Sequence, residues 1–196
     1  MIDVILLISG SSKRMGREKA LLPFTENKNF VYQILETYLF LAEANVYIVV
    51  NPQNFAEIKL SVQKFEGRIK FIVNHNSNQG RIGSILLGLE QIREHNGVFI
   101  QNIDNPFVSY NLLTSMLKNY KPKSFLVPQF EGKNGHPLLL GAELVQEMKA
   151  NRNSITDLKQ YLNKKEKRFL ITKDKAVLAN INSPVEYQKW FPDIDL

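Results

Sequence analysis

The chain has 196 residues, of which 44% are hydrophobic and 22% charged, with 10 Gly and 8 Pro. That balance excludes a disordered or collagen-like polymer, and the length predicts one globular domain over residues 1–196. Lysine and arginine outnumber aspartate and glutamate 25 to 19, a formal charge of +6 that favours anionic partners without separating nucleic acid from phosphorylated small molecules.

Cysteine is absent, which excludes disulfides, thiolate nucleophiles and Cys-ligated metals and fits a reducing compartment. No Lys or Arg precedes the first apolar run, so the basic leader of a secretory signal is missing. The apolar stretch from Phe30 to Val50 is interrupted by Glu36 and Glu43, where a membrane span needs about 20 apolar residues. The expectation is a soluble, cytoplasmic protein with no membrane partner, its oligomeric state open.

Val4 to Ile8 is a continuous apolar run ending in Ser9 and Gly10, the pattern of a strand buried on both faces of a parallel sheet. Val31, Ile34, Leu35, Tyr38, Leu39 and Ala42 then recur at spacings of three and four, predicting a helix, and Val46 to Val50 predicts the next strand. The alternation continues with a helix around Phe55 to Phe65, a strand at Ile69 to Val73, a helix through Ile82, Ile85, Leu86, Leu89 and Ile92, and a strand at Val98 to Gln101. A helix near Tyr110 to Tyr120 and a strand at Phe125 to Val127, closed by Pro128, follow. In the last third Leu138 to Leu140 reads as a short strand. Ser154 with Asp157 resembles a capping box for a helix through Leu158, Tyr161 and Leu162. Phe169 to Thr172 and Val177 to Ile181 read as strands, and Val185 to Trp190 as a terminal helix.

Strands alternating with helices predict an α/β sandwich with a mostly parallel sheet, whose ligands lie beyond the carboxyl ends of the strands. The loops after Ile8, Val73 and Gln101 are therefore expected on one rim. The first is rich in small residues and carries Lys13, Arg14, Arg17 and Lys19, so its backbone amides can approach an anion while the side chains neutralise several phosphates. It is neither a P-loop nor a dinucleotide fingerprint, because Arg17 follows Gly16 and no Gly-x-Gly is present. Spacing alone is also compatible with a βα loop whose charges are simply solvated. Gly80 to Ser84 can open a helix whose free N–H groups meet a base edge or an anion, or can form an ordinary tight turn. Asp104, at a strand end before Asn105-Pro106, is a hard-oxygen donor suited to Mg²⁺ or a turn former.

The run Leu7-x-x-Gly10-x-x-x-Arg14-Met15-Gly16-x-x-Lys19-x-Leu21-Leu22-Pro23 resembles the signature of the MobA-like nucleotidyltransferases, a family that includes molybdenum cofactor guanylyl- and cytidylyltransferases. Gly80-x-x-x-Ser84-x-x-x-Gly88-Leu89 and Asp104-x-Pro106 continue the resemblance in order, and Gly135-His136-Pro137 is similar to a segment of the cytidylyltransferase-like members. The resemblance implies a three-layer Rossmann-like sandwich of the nucleotide-diphospho-sugar transferase type. It implies that Ser9, Gly10, Ser11, Gly80 and Ser84 hold the nucleotide, that Arg14 and Lys19 hold its phosphates, and that Asp104 binds Mg²⁺. The implied reaction moves a nucleoside monophosphate from CTP or GTP, with CTP favoured, to a phosphorylated acceptor such as molybdopterin, or alternatively a sugar or alditol phosphate, and releases pyrophosphate.

One segment departs from that pattern. Where family members carry an Asp-Ile-Asp-like segment contributing a second carboxylate, this chain has Asn180-Ile181-Asn182. The Asn182 carbonyl can still reach a metal or its water, but brings no charge, and a nucleotide-binding module with weakened catalysis is the alternative. His75 and His95 have no partner pattern and read as structural or surface residues. The basic run Lys164 to Arg168 reads as a solvated face rather than a nucleic-acid site.

Overall fold

The structure is a computed structural model and describes residues 2–10, 12, 14–41, 44–76, 80–93 and 95–194. Its first strand, β1 (Ile2–Leu7), is buried at every position, as a continuous apolar run requires when helices cover both faces. Parallel to it on one side run β4 (Asn45–Val50) and then β5 (Ile69–Val73), and on the other side β6 (Gly97–Asn102). Beyond β6 the order continues through β9 (Leu138–Leu140) and β7 (Ser124–Phe130) to the edge strand β10 (Glu166–Ile171). Among the described residues only β9 and the short β8 (Lys133–Asn134) run antiparallel in this sheet. A small hairpin, β2 (Pro23–Thr25) with β3 (Lys28–Asn29), stands apart and was not legible as periodicity because its strands are too short.

Side chains alternate between the two faces of the sheet and build two cores. Val4, Leu6, Ile48, Val50 and Phe99 face α1 (Phe30–Leu39), α4 (Tyr110–Lys118) and α7 (Pro184–Trp190), with Ile58 of α2 (Pro52–Ser61) joining the same side. Ile5, Leu7, Tyr47, Val49 and Ile100 face α3 (Gly80–Leu89), α5 (Ala142–Ala150) and α6 (Leu158–Leu162). The molecule is thus a three-layer α/β sandwich around a mostly parallel sheet. No helix among the described residues is long and apolar enough to cross a membrane.

Four expectations change. Pro128 does not close its strand but sits inside β7, at the point where β9 gives way to β8 as the neighbour, so no antiparallel ladder needs the missing N–H. Val177 to Ile181 is not a strand. Two of its carbonyls, and that of the residue before it, are taken by a side chain: Asn105 Nδ2 donates to Val177 O and Ala179 O at 3.0 and 2.9 Å, and to Ala176 O at 3.3 Å. Ser154 lies in a short 3₁₀ turn, and Asp157 itself caps α6 by accepting from Gln160 N at 2.7 Å. Finally, α2 and α3 stop at Ser61 and Leu89, short of Phe65 and Ile92, which pack from 3₁₀ and turn segments instead. Ala42 lies outside the described residues.

The strand order reverses at β1: the chain moves outward through β4 and β5, then returns to lay β6 on the other side. Such a switch opens a crevice beyond the carboxyl ends of the flanking strands.

Candidate nucleotide and metal site

The crevice is occupied by a cavity of about 860 Å³. The turn after β1 contributes Ser9, Gly10 and Ser12, followed by Glu18 and Lys19; the start of α3 contributes Gly80, Arg81 and Ser84. The end of β6 contributes Asn102 and Asp104, and His136 and Asn180 complete the wall. The three loops expected on one rim therefore do meet there. Ser11, Lys13 and Gln79 lie outside the described residues.

The first loop is built to be tight. Ser12 and Gly16 take φ values of +46° and +73°, and Met15 N and Gly16 N both donate to Ser12 O, at 3.0 and 3.2 Å. Gly16 accepts this backbone at no steric cost, and Ser12 is secured by its side chain, which accepts from Lys19 N at 3.3 Å. Glu18 then starts a 3₁₀ turn (Lys19–Leu21), its carboxylate accepting from Ala20 N and from Asn54 Nδ2. Burial pushes the Glu18 carboxyl above its ordinary value, against the pull of the Ala20 amide and of Lys19.

The second loop is welded to the first. Ser84, buried one turn into α3, sits 2.6 Å from Ser9 across their hydroxyl oxygens and accepts from Asn74 Nδ2 at 3.0 Å. Gly80 takes φ +61°, a glycine-favouring conformation, and is exposed at the cavity mouth.

Asp104 is held through its neighbours. Tyr38 Oη donates to the buried Gln101 Oε1 at 3.0 Å, and Gln101 Nε2 donates to Asn102 O and Asn105 O at 2.7 and 2.8 Å, shaping the turn. Ile181 N donates to Asp104 O at 2.9 Å. The carboxylate itself is half-buried, and its Oδ1 is buried without a hydrogen-bond partner. A buried carboxylate oxygen facing no donor at a cavity wall is the arrangement a hard cation satisfies. No cluster of three His, Cys, Asp or Glu exists among the described residues, so a cation here would depend on Asp104, phosphate oxygens and water.

Arg81 and His136 share the Asp104 field. The residue Arg81 is exposed overall, yet protein around its guanidinium pushes it below its ordinary value while Asp104 opposes the shift. Burial, then Arg81, lowers the His136 imidazole below its ordinary value, again against Asp104. His136 is oriented by a backbone bond from its N–H to Val177 O at 2.8 Å.

The remaining expected residues are placed differently from one another. Lys19 lines the cavity, half-buried, and its Nζ donates to Asn182 Oδ1 at 2.7 Å. Arg14 is exposed and does not line the cavity; its charge helps hold the Glu186 carboxyl below its ordinary value, after the larger effect of the Asn182 backbone N–H. Asn180 lines the cavity and Asn182 does not. His75 and His95 are both exposed.

Sequence reasoning passed over the end of β4 and the start of α2. Asn51, Gln53 and Asn54 line the cavity, and Asn51 Nδ2 donates to Ser9 O at 2.8 Å while its buried Oδ1 has no partner. The Ser9 carbonyl fixes which way that amide faces, so Asn51 offers an unsatisfied acceptor. The strand-end rule applied to Val46 to Val50 would have found it.

The MobA-like NTP transferase domain family matches residues 4–171 of the chain. No curated protein sequence matches it. Among solved structures it is similar to Rv0371c from Mycobacterium tuberculosis H37Rv, at 16% identity over 98% of this chain and 97% of that one, TM-score 0.82. The same protein in complex with manganese aligns at 13% identity over 98% and 99%, TM-score 0.78. A nucleotidyl transferase from Methanothermobacter thermautotroptrophicus aligns at 17% over 97% and 95%, TM-score 0.76. The 4-diphosphocytidyl-2C-methyl-D-erythritol synthase from Anaerococcus prevotii DSM 20548 aligns at 14% over 95% and 92%, TM-score 0.75.

Proposed function

Because the chain belongs to the MobA-like NTP transferase domain family and is a nucleotidyltransferase taking a nucleoside triphosphate and a small-molecule acceptor, we propose that it transfers a nucleoside monophosphate from CTP or GTP to a phosphorylated acceptor. CTP is favoured by the Gly135-His136-Pro137 segment and by the likeness of fold to a diphosphocytidyl synthase. Residues 1–196 act as one catalytic unit: α7, beyond the matched region, packs Tyr187 into the core and donates from its Oη to Pro23 O at 2.8 Å.

An oxygen of the acceptor phosphate attacks the α-phosphorus, the bond from that phosphorus to the bridging oxygen breaks, and pyrophosphate leaves. The nucleophile is already anionic, so no base is needed, and positioning with charge stabilisation carries the rate. The loop around Ser9 and Gly10 presents backbone amides to the phosphates. Lys19 supplies a fixed positive charge, and Arg14 a second one from the exposed turn. Asp104 would hold Mg²⁺, which supplies Lewis-acid neutralisation of phosphate charge. The neutral Asn182 oxygen, turned to Lys19, is a weaker candidate ligand. Burial, then Arg81, holds the His136 imidazole below its ordinary value, which disfavours its charged form at the cavity wall.

The observation that carries this reading is the meeting of Lys19, Gly10, Ser84 and the unpartnered Asp104 oxygen around one cavity. Pyrophosphate release from CTP and GTP with Mg²⁺, against molybdopterin and a panel of sugar and alditol phosphates, tests it. Release with one nucleotide and one acceptor class is expected. Tight nucleotide binding without release on any acceptor would favour a binding module, a reading that the amides Asn180 and Asn182 motivate.

A further inference from the structure

The segment from Asn180 to Glu186 is an ordered clasp. Ser183 caps α7 by accepting from Glu186 N at 3.3 Å, and Glu186 Oε2 accepts in return from Asn182 N at 2.8 Å and Ser183 Oγ at 3.0 Å. Asn182 Nδ2 donates to Asn180 Oδ1 at 2.7 Å. That bond decides which way the amide faces, so its oxygen is the atom turned to Lys19, whose ammonium can only donate. The neighbouring Ile181, fully buried, anchors the clasp to Asp104 through the backbone bond described above.

An ammonium carries three N–H donors, and Asn182 uses one. Among the described residues no other group accepts from its Nζ, so the other two can turn to the cavity, and an uncharged acceptor leaves the full positive charge in place. A carboxylate at the same point would hold the lysine equally well but would form an ion pair, and an incoming polyphosphate would have to compete with it. We propose that Asn182 is a positioning residue for Lys19, fixing its ammonium at the cavity wall while leaving its charge for the substrate's phosphates. The inference rests on the nucleotidyl-transfer reading for the identity of the anion, but not for the contact itself.

The test uses the full chain and inorganic tripolyphosphate in the absence of divalent cations, which removes metal binding from the measurement. Asn182→Asp should weaken tripolyphosphate binding by about tenfold, the size of one charge-assisted hydrogen bond. In a Lys19→Ala background the same substitution should have no further effect, since coupled pairs are non-additive. In the ligand-free chain the Lys19 ammonium ¹⁵N signal, assigned by its loss in Lys19→Ala, should broaden by exchange in Asn182→Ala. Equal tripolyphosphate affinity in wild type and Asn182→Asp, or an unaltered Lys19 signal in Asn182→Ala, overturns the proposal. A rise in Mg²⁺ affinity in Asn182→Asp, measured separately, also overturns it and makes Asn182 a ligand position. Failure of the wild-type chain to bind CTP or GTP would instead count against the nucleotidyl-transfer reading, and the Lys19 signal decides the inference without any substrate.

Discussion

The hydroxyl oxygens of Ser9 and Ser84 stand 2.6 Å apart although 75 residues separate them in the chain. With Asn74 Nδ2 on the same Ser84 oxygen, the ends of β1 and β5 and the start of α3 are tied into one polar joint beneath the cavity. Ser84→Ala strands the buried Asn74 amide, and the expected loss of stability is about 1–3 kcal/mol. Urea denaturation measures it, and nucleotide affinity should fall in parallel. A variant with wild-type midpoint and wild-type affinity would show that the joint matters to neither.

Asp104→Asn removes the charge from a carboxylate oxygen that no described residue partners at the cavity. Because the side chain makes no hydrogen bond through that oxygen, folding should be unchanged within about 0.5 kcal/mol. The Mg²⁺ concentration for half-maximal turnover should rise at least about tenfold, the lower end of what a disturbed metal environment costs. An identical metal titration would take Asp104 out of the ligand role.

His136 ties stability to pH. Its folded pKa lies below the ordinary value of 6.5, through burial first and the Arg81 charge second. The unfolded chain therefore takes up the proton first as pH falls, so the stability that neutral His136 contributes is present above pH 6.5 and is lost as the pH falls through the lowered folded value. Denaturation midpoints taken from about pH 8 down to about pH 5 should fall more steeply for wild type than for His136→Gln. Parallel curves would mean that His136 does not titrate in that window.

Gly135 has no room for a side chain. A Cβ there would stand 2.5 Å from Val177 O, a backbone atom that also accepts from His136 N. Gly135→Ala should cost about 1–3 kcal/mol through overpacking and displace His136 from the cavity wall, lowering turnover as well as the melting temperature. A melting temperature equal to wild type would show that the Val177 segment yields freely.

Lys19→Ala removes the one lysine that lines the cavity among the described residues, and turnover should drop by about 10²–10³ while the denaturation midpoint stays close to wild type. Unchanged turnover would remove Lys19 from the site.

The alternation of apolar runs with three-and-four spacing made the sheet and its helices readable, because burial on both faces and burial on one stripe leave different periods in the residues. The strand-end rule then put the loops that carry Ser9, Gly10, Gly80 and Asp104 on one rim, since a parallel sheet delivers every such end to the same side, while the choice of those residues within the loops came from the family resemblance. Local pattern misread Pro128 and Val177 to Ile181 for a shared reason: a strand is decided by its neighbour, and Pro128 lies between two partners while Asn105 replaces the partner of the second segment. The facing of an amide leaves no trace in residue order at all. That Asn182 turns its oxygen to Lys19, and that Asn51 Oδ1 and Asp104 Oδ1 meet no donor among the described residues, were settled only when segments up to 163 positions apart were packed together, because a hydrogen bond depends on where both ends are held.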